Sequence, residues 1–192
     1  AIKAERPDMG LFFTGMLMFN LRPSEAAMLK RSDLLLPEAG REGILRCYRR
    51  KIHQWEDISF EYGSVFHHWA RECLQLADSE KRKPLAKAPL IICISGRCRR
   101  NPGGWMTDNL DKATERVCAQ LGISLSRPYI IRHSIITWLS KQPGVPGAAI
   151  SAHASHRKGT TKDIYTHLTA AAAKPAMEAI QHLMKSYVAK TG

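Results

Sequence analysis

The spacing of apolar residues near the N-terminus predicts two helices separated by a break. Residues 8–20 are densely apolar, and residues 24–34 continue with apolar positions at near-helical spacing. Pro23 separates the two stretches, and proline is favoured in the first turn of a new helix. Arg22, which directly precedes this proline, is therefore predicted to lie at a helix junction.

Shorter segments with a different spacing follow and predict a small antiparallel sheet. Residues 34–43 combine a run of leucines with a proline- and glycine-containing stretch, which predicts a short strand and a turn. Residues 43–50 alternate apolar and polar positions as a strand does, and residues 52–62 can pair with them as its partner. Lys51 falls in or beside the turn between these two strands.

The remainder of the chain is predicted to be mainly helical, with prolines and glycines at several helix ends. The predicted helices cover 64–78, 107–121 with Thr107 as N-cap, 130–142, 148–155, 160–173 and a last amphipathic helix that Pro175 opens. In the second of these, the residues predicted to share one face are Leu110, Thr114, Val117 and Leu121. The whole pattern predicts an α+β fold, mainly α-helical, with a small three-stranded antiparallel sheet.

The charge of the chain favours a polyanionic partner. Its formal net charge is +12 at pH 7, and its sequence pI is about 9.8. Such a field concentrates nucleic acid first and anionic membrane surfaces second. No apolar run approaches the ~20 residues that span a bilayer, so a membrane protein is not predicted.

Cysteine and glycine patterns exclude several classes of site. The chain has five cysteines and no CxxC pair, which predicts neither a disulfide framework nor a cysteine-ligated zinc site and favours a reducing cytoplasm. No P-loop pattern of glycines is present, so a nucleotide cofactor is not predicted. A chain of 192 residues with 44% hydrophobic content can bury one sizeable core, which predicts a single domain.

Four residues have the side chains that phosphate chemistry requires. Arg132, His156 and Tyr165 lie close together near the C-terminus, and Arg22 lies far upstream. Two guanidinium groups can bind the oxygens of one phosphate while a tyrosine hydroxyl attacks phosphorus. Structural alternatives exist for two of these residues, because Arg132 could pair with a carboxylate in the core and Tyr165 could be a core tyrosine.

The order and spacing of these residues resemble those of tyrosine recombinases, the family of phage integrases and Xer-type resolvases. In SHRKGTTKDIYTH, His156 lies nine residues before Tyr165 with a Thr-Thr turn between them, as in the family's third box. LRPSEAAMLKRSDL resembles the first box around Arg22, and PYIIRHS resembles the second box around Arg132. The resemblance covers about residues 9–170.

The resemblance implies site-specific DNA recombination by strand cleavage and rejoining. Tyr165 would attack the scissile phosphate, forming a 3′-phosphotyrosine and releasing a 5′-hydroxyl. Arg22 and Arg132 would stabilise the negative charge that develops in the transition state. Tyr129 and His156 would donate hydrogen bonds to the same phosphate oxygens.

Two further residues receive roles from the resemblance. Lys51 matches the lysine of the family's β-hairpin turn and would protonate the leaving 5′-oxygen. Glu25 matches the acidic residue after the first arginine and would orient the catalytic side chains. The phosphotyrosine conserves the energy of the broken bond, so the resemblance implies neither a metal nor a nucleotide cofactor.

Two positions depart from the family pattern. Tyr129 stands where the family usually has a histidine, and Ser155 stands where it has a glycine before the third-box histidine. A phenol can donate a hydrogen bond to a phosphate oxygen, but it is a poor proton carrier near neutral pH. A catalytically impaired DNA-binding module of the same fold is therefore an alternative.

The resemblance also implies a larger assembly. Residues 1–192 would be a single catalytic domain of a longer recombinase, with its N-terminal DNA-binding domain absent. The enzyme would be encoded by a bacterium, a phage or another mobile element and would act on the chromosome in the cytoplasm. Its partners would be double-stranded DNA and further protomers in a tetramer, with residues 175–192 packing on a neighbouring protomer.

The basic residues around Lys51 have a second interpretation. Arg49, Arg50 and Lys51 form a consecutive run of positive charge, and such runs are usually solvated surface. On this interpretation Arg49 and Arg50 would contact the DNA backbone in a salt-dependent way.

The histidines near Tyr165 have a second interpretation as well. His153 and His156 are spaced to lie on one face of a helix and could bind a metal together with His167. No nearby acidic residue or cysteine completes such a ligand set, so this alternative explains fewer residues. His153 is also an alternative to His156 as the phosphate-binding histidine, at twelve residues before Tyr165.

Overall fold

The computed structural model describes residues 6–49, 53–79, 110–124, 127–154 and 170–191. These residues are mostly helical and include a three-stranded antiparallel sheet, which confirms the predicted α+β class. The helices are α1 (Pro7–Phe19), α2 (Pro23–Ala27), α3 (Val65–Ser79), α4 (Leu110–Gln120), α5 (Tyr129–Leu139), α6 (Gly147–His153) and α7 (Ala170–Thr191). The strands are β1 (Leu34–Leu35), β2 (Gly43–Arg49) and β3 (Gln54–Phe60), and a 3-10 helix covers Arg31–Asp33.

The sheet has β2 in its middle and confirms the predicted hairpin. Along β2 and β3 the antiparallel pairing runs from Gly43 with Phe60 to Arg49 with Gln54, and β1 pairs with the other edge of β2. Buried and exposed positions alternate without a break along β2. Because side chains of a strand point to opposite faces in turn, Leu45, Cys47 and Arg49 all point into the protein.

Helix α1 lies at the centre of the core. It contacts α2, α3, α5 and α7, and a helix that is apolar on all sides is expected in such a position. Phe19 at its C-terminal end meets Phe66 of α3 edge to face, with ring centroids 4.7 Å apart, and Phe66 meets Phe60 of β3 at 5.1 Å. This aromatic cluster fixes the end of α1 against the sheet.

The end of α1 positions the residues that follow it. Asn20 adopts the left-handed conformation with φ of 49°, and its N–H donates to the carbonyl of Gly15. Asparagine tolerates this conformation better than most residues, so it can terminate a helix. Pro23 then opens α2, as predicted, and Arg22 becomes the residue before the first turn of α2.

Two predictions about the helices are wrong. Pro175 lies inside α7, which already includes Ala170, and does not open that helix. Residues 170–173 are alanines, the strongest helix formers, and α7 also packs on α6; both offset the hydrogen bond that a proline nitrogen cannot donate. Leu121 is 39% exposed because α4 ends at the preceding residue.

None of the helices in the described part of the chain is long and apolar enough to cross a membrane. The cysteines Cys47, Cys73 and Cys118 are buried free thiols, and burial raises the pKa of Cys47 to about 12. At neutral pH Cys47 is therefore a protonated core residue.

Candidate functional site

The structure describes half of the predicted site residues. Arg22, Tyr129 and Arg132 lie in the described ranges, as do Glu25 and His153. The predicted residues Lys51, His156 and Tyr165 lie outside them, together with Arg50 and His167. The described part of the predicted site is therefore its arginine-rich part.

Glu25 holds Arg22 in place through both its backbone and its side chain. The Arg22 backbone N–H donates to Glu25 Oε2 at 2.9 Å, and Arg22 Nη1 donates to Glu25 Oε1 at 2.7 Å. Glu25 is the third residue of α2 and is fully buried at its side chain. A carboxylate in the first turn also interacts favourably with the helix dipole. The predicted orienting role of Glu25 toward Arg22 therefore has a geometric basis.

Arg49 joins this pair from the neighbouring strand. Its Nη1 donates to Glu25 Oε2 at 3.2 Å, its Nη2 to the Phe19 carbonyl at 3.1 Å, and its Nε to Glu56 Oε2 at 2.5 Å. The result is a continuous chain of alternating charges, in the order Arg22, Glu25, Arg49 and Glu56. It links the start of α2 to the end of the β2–β3 hairpin.

The structure corrects the interpretation of Arg49 as a solvated basic residue. Arg49 is only 2% exposed, and each of its three guanidinium nitrogens already donates to a protein acceptor, so it is an interior structural residue and not one of the predicted surface contacts to a DNA backbone. The signal was present in the alternation of β2, which places position 49 on the same face as Leu45 and Cys47. The adjacent run of basic residues obscured that signal.

Burial and the neighbouring arginines have opposite effects on the pKa of the Glu25 carboxyl. Burial alone would raise the pKa of its carboxyl, but the Arg22 backbone N–H, the charge of Arg49 and the Arg22 side chain together hold that pKa below its ordinary value. Glu25 is therefore ionised at neutral pH. An ionised carboxylate between two guanidinium groups is the state that fixes both arginines.

Arg132 approaches the same cluster from α5. It is 2% exposed, its Nη2 donates to the carbonyl of Ala154 at 2.5 Å, and its Nη1 has no partner among the described residues. Burial lowers the pKa of Arg132 to about 10, and the positive charges of Arg22 and Arg49 act in the same direction. Arg22 and Arg132, the arginines of the first and second boxes, therefore lie close enough for the charge of Arg22 to act on Arg132. The alternative of a carboxylate partner for Arg132 is not seen in the described part of the chain.

His153 lies at the C-terminal end of α6, next to Arg132. It is 3% exposed, and its Nε2 has no hydrogen-bond partner among the described residues. Burial lowers the pKa of His153 to about 3, with further contributions from the charges of Arg49 and Arg132. The imidazole is therefore neutral at physiological pH. Sequence reasoning offered His153 only as an alternative, because its spacing to Tyr165 matches the family less well.

Tyr129 occupies a different environment from the two buried arginines. It is the first residue of α5, is 42% exposed, and packs its ring on His133 with centroids 4.8 Å apart. It lies three residues before Arg132 on the same helix, so it stands at the rim of the cluster. An exposed phenol at this position can reach a ligand but does not supply a buried imidazole.

Taken together, these side chains have the charge and the donors that an anion site requires. Arg22 and Arg49 pair with Glu25 and Glu56, and Arg132 adds a third positive charge, which leaves a positive excess. Arg132 and His153 each have a buried nitrogen without a described partner. A preorganised set of such donors can stabilise a phosphate and the charge that develops on it during reaction. This cluster of Arg22, Glu25, Arg49, Glu56, Arg132 and His153 is called the arginine cluster below.

The arginine cluster has a measurable consequence for stability. Replacing Glu25 by Gln is expected to destabilise the fold by about 3–5 kcal/mol, because it leaves the buried Arg49 and the partly buried Arg22 without their shared carboxylate. Because the pKa of Glu25 is lowered by folding, its stabilisation is present at neutral pH and is lost as the pH falls through that lowered value. Urea unfolding of both proteins at neutral and acidic pH measures this.

The control for this prediction is Glu38→Gln, which changes an exposed carboxylate 4.0 Å from Arg41. An exposed pair of this kind contributes little, so this variant should unfold as the wild type does. If Glu25→Gln were as stable as the wild type at neutral pH, the ion pairs of Glu25 with Arg22 and Arg49 would not be what holds the cluster together.

In the described part of the chain, no group of three or more histidine, cysteine, aspartate or glutamate side chains is placed to hold a metal ion. The chain matches no protein-family model, no curated protein and no solved structure. The function proposed next therefore depends on the residues themselves.

Proposed function

We propose that this chain is the catalytic domain of a tyrosine recombinase, which breaks and rejoins DNA through a 3′-phosphotyrosine. The observation that supports this most is the arginine cluster, in which Arg22 and Arg132 come from distant parts of the sequence and lie close enough for the charge of Arg22 to act on Arg132. The resemblance of the three sequence boxes assigns the same two arginines to one phosphate. The α+β class of the fold is compatible with the recombinase catalytic fold, which is itself part of the proposal.

The arginine cluster would bind the scissile phosphate before any bond breaks. Arg22 uses its Nη1 for Glu25, and Arg132 uses its Nη2 for the Ala154 carbonyl. Each guanidinium then has further N–H groups that can donate to a phosphate oxygen. Because Glu25, Ala154 and Arg49 fix these groups in advance, little reorganisation is needed when negative charge grows in the transition state.

The proposed bond formation, bond cleavage and proton donation belong to Tyr165 and Lys51, which lie outside the described ranges. The Tyr165 oxygen would form a bond to phosphorus as it loses its proton, and the bond from phosphorus to the 5′-oxygen would break. Lys51 would give a proton to that 5′-oxygen, while His156 and Tyr129 would donate hydrogen bonds to the phosphate oxygens. A 5′-hydroxyl of a partner strand would then reverse the step and release Tyr165.

The wider proposal includes the assembly and location of the enzyme. A net charge of +12 suits a double-stranded DNA partner. Strand exchange between two duplexes would require further protomers in a tetramer, with residues 175–192 as the candidate contact. The enzyme would act on chromosomal DNA in the cytoplasm and would serve integration or another recombination of a mobile element.

Covalent capture tests the proposed function. A pool of nicked suicide duplexes of varied sequence, incubated with the protein in excess chelator, should give a protein–DNA band that survives denaturing electrophoresis. DNA binding without any covalent band would favour the impaired DNA-binding module. A band that forms only when a divalent metal is added would favour metal-dependent chemistry and contradict the phosphotyrosine scheme.

Lys51 can be tested as the general acid with a substrate that does not need one. Lys51→Ala should slow cleavage of a normal 5′-oxygen substrate but hardly affect a substrate with a bridging 5′-sulfur, because a thiolate leaves without a proton. Single-turnover cleavage rates on both substrates measure the effect. Arg50→Ala is the control and should show no selective rescue by sulfur. Equal defects of Lys51→Ala on both substrates would remove Lys51 from the catalytic set.

A further inference from the structure

Two buried nitrogens without described partners lie where the first turn of α5 approaches the C-terminal end of α6. They are Arg132 Nη1 and His153 Nε2, on side chains that are each at least nine-tenths buried. Arg132 Nη2 donates to the carbonyl of Ala154, which directly follows His153. The guanidinium of Arg132 therefore lies against the end of α6 that His153 terminates. Buried polar atoms are nearly always paired in native proteins, so the pair points to a shared ligand.

The charges around His153 define what that ligand must be. Arg49 of β2 and Arg132 of α5 both act on the imidazole and disfavour a positive charge on it. Arg22 adds to the same positive field at Arg132, and Glu25 is already bound by Arg22 and Arg49. Glu25 and Glu56 together balance only two of the three arginines of the cluster. A bound anion would balance the remaining positive charge.

The neutral imidazole also has the right hydrogen-bonding capacity. A neutral histidine has one N–H donor and one acceptor nitrogen. In the tautomer with the proton on Nε2, it donates to an anion without adding a further positive charge to three neighbouring guanidinium groups. The surroundings therefore favour the Nε2–H tautomer.

We propose that His153 is a further catalytic residue. Its Nε2–H donates a hydrogen bond to an oxygen of the same phosphate to which Arg132 Nη1 donates. This inference rests on the proposed function, because it identifies the phosphate as the scissile one. The proposal also explains how the site can contain a buried imidazole although Tyr129, which is 42% exposed, occupies the position of the family's second-box histidine. His153 supplies the buried imidazole that this position lacks.

Two substitutions of His153 separate a ligand contact from a structural role. His153→Leu keeps an apolar body of similar size but removes the donor, whereas His153→Gln retains an N–H donor. Removing an unpaired buried polar group should not lower stability, so we expect His153→Leu to unfold at the same urea concentration as the wild type or a higher one. Its affinity for phosphate should nevertheless fall.

The experiment measures binding of inorganic phosphate to the full chain by titration calorimetry, alongside urea unfolding. We expect His153→Leu to bind phosphate about 10-fold more weakly, since a hydrogen bond to a charged group is lost. His153→Gln should stay within about 3-fold of the wild type because it keeps a donor. His182→Leu, at an exposed histidine of α7, is the matched control and should change nothing. Arg132→Ala should abolish binding.

The outcomes distinguish this proposal from the proposed function. If Arg132→Ala abolishes phosphate binding and His153→Leu leaves it unchanged, His153 is not a ligand and the arginine site stands. If His153→Leu and His153→Gln lose stability and affinity together, His153 is structural and the proposal is overturned. If the wild type binds no phosphate but still forms the covalent DNA adduct, the proposal for His153 is overturned and the recombinase proposal stands. Phosphate binding as expected without any covalent DNA adduct would leave His153 as an anion ligand but overturn both its catalytic role and the recombinase.

Discussion

Arg132→Ala and Arg22→Ala are each expected to slow DNA cleavage by about 10²-fold or more, the loss typical of one preorganised donor in a transition state. Both guanidinium groups are held by specific partners, Arg22 by Glu25 and Arg132 by the Ala154 carbonyl. Lysine should restore little activity at either position, because a point charge does not reproduce the planar fork. Single-turnover cleavage of a captured suicide substrate measures the rates.

The matched control for the arginine variants is Arg46→Ala. Arg46 lies on β2 and donates to Asp57 at 2.8 Å, but this pair is exposed. Its loss should leave cleavage unchanged. Urea unfolding of every variant separates a slower reaction from a loss of folded protein. Cleavage at the parental rate by folded Arg22→Ala or Arg132→Ala would show that this arginine is structural and that the two do not share a phosphate.

Tyr165→Phe is expected to abolish covalent capture of DNA while DNA affinity stays nearly unchanged. The substitution removes only the oxygen that attacks phosphorus, and the arginine cluster that binds the phosphate remains. Denaturing electrophoresis measures the adduct, and fluorescence anisotropy with labelled duplex measures binding. Tyr62→Phe, at an exposed tyrosine, is the control and should retain full capture. A covalent adduct with Tyr165→Phe would show that another residue is the nucleophile.

The fold class could be predicted because its determinants are local. Pro23 is placed to open α2, and the sequence alternation of β2 defines one strand of the hairpin, independently of distant contacts. Both features depend on backbone chemistry and on the periodicity of apolar residues. The same local rules failed at Pro175, where the propensity of the preceding alanines and packing on α6 extend the helix through a proline.

The interior of the site could be predicted only in part because its contacts are not local. The sequence boxes identified Arg22, Glu25 and Arg132, whose residue types are distinctive. They did not identify Arg49, because its pairing with Glu25 joins a strand to a helix across 24 positions of sequence. The environment of His153 could not be predicted either, since it depends on the hydrogen bond from Arg132 to Ala154 and on the charge of Arg49, both set by residues distant in sequence.

A tyrosine recombinase forms a covalent bond to DNA through one tyrosine, which we propose to be Tyr165. Peptide mass mapping can locate this bond in the adduct that wild-type protein forms with a suicide duplex in the presence of chelator, after nuclease digestion. We expect a nucleotide on the peptide that contains Tyr165, joined to the 3′ side of the break. A nucleotide on Tyr129, on Tyr187 or on any other residue would contradict it.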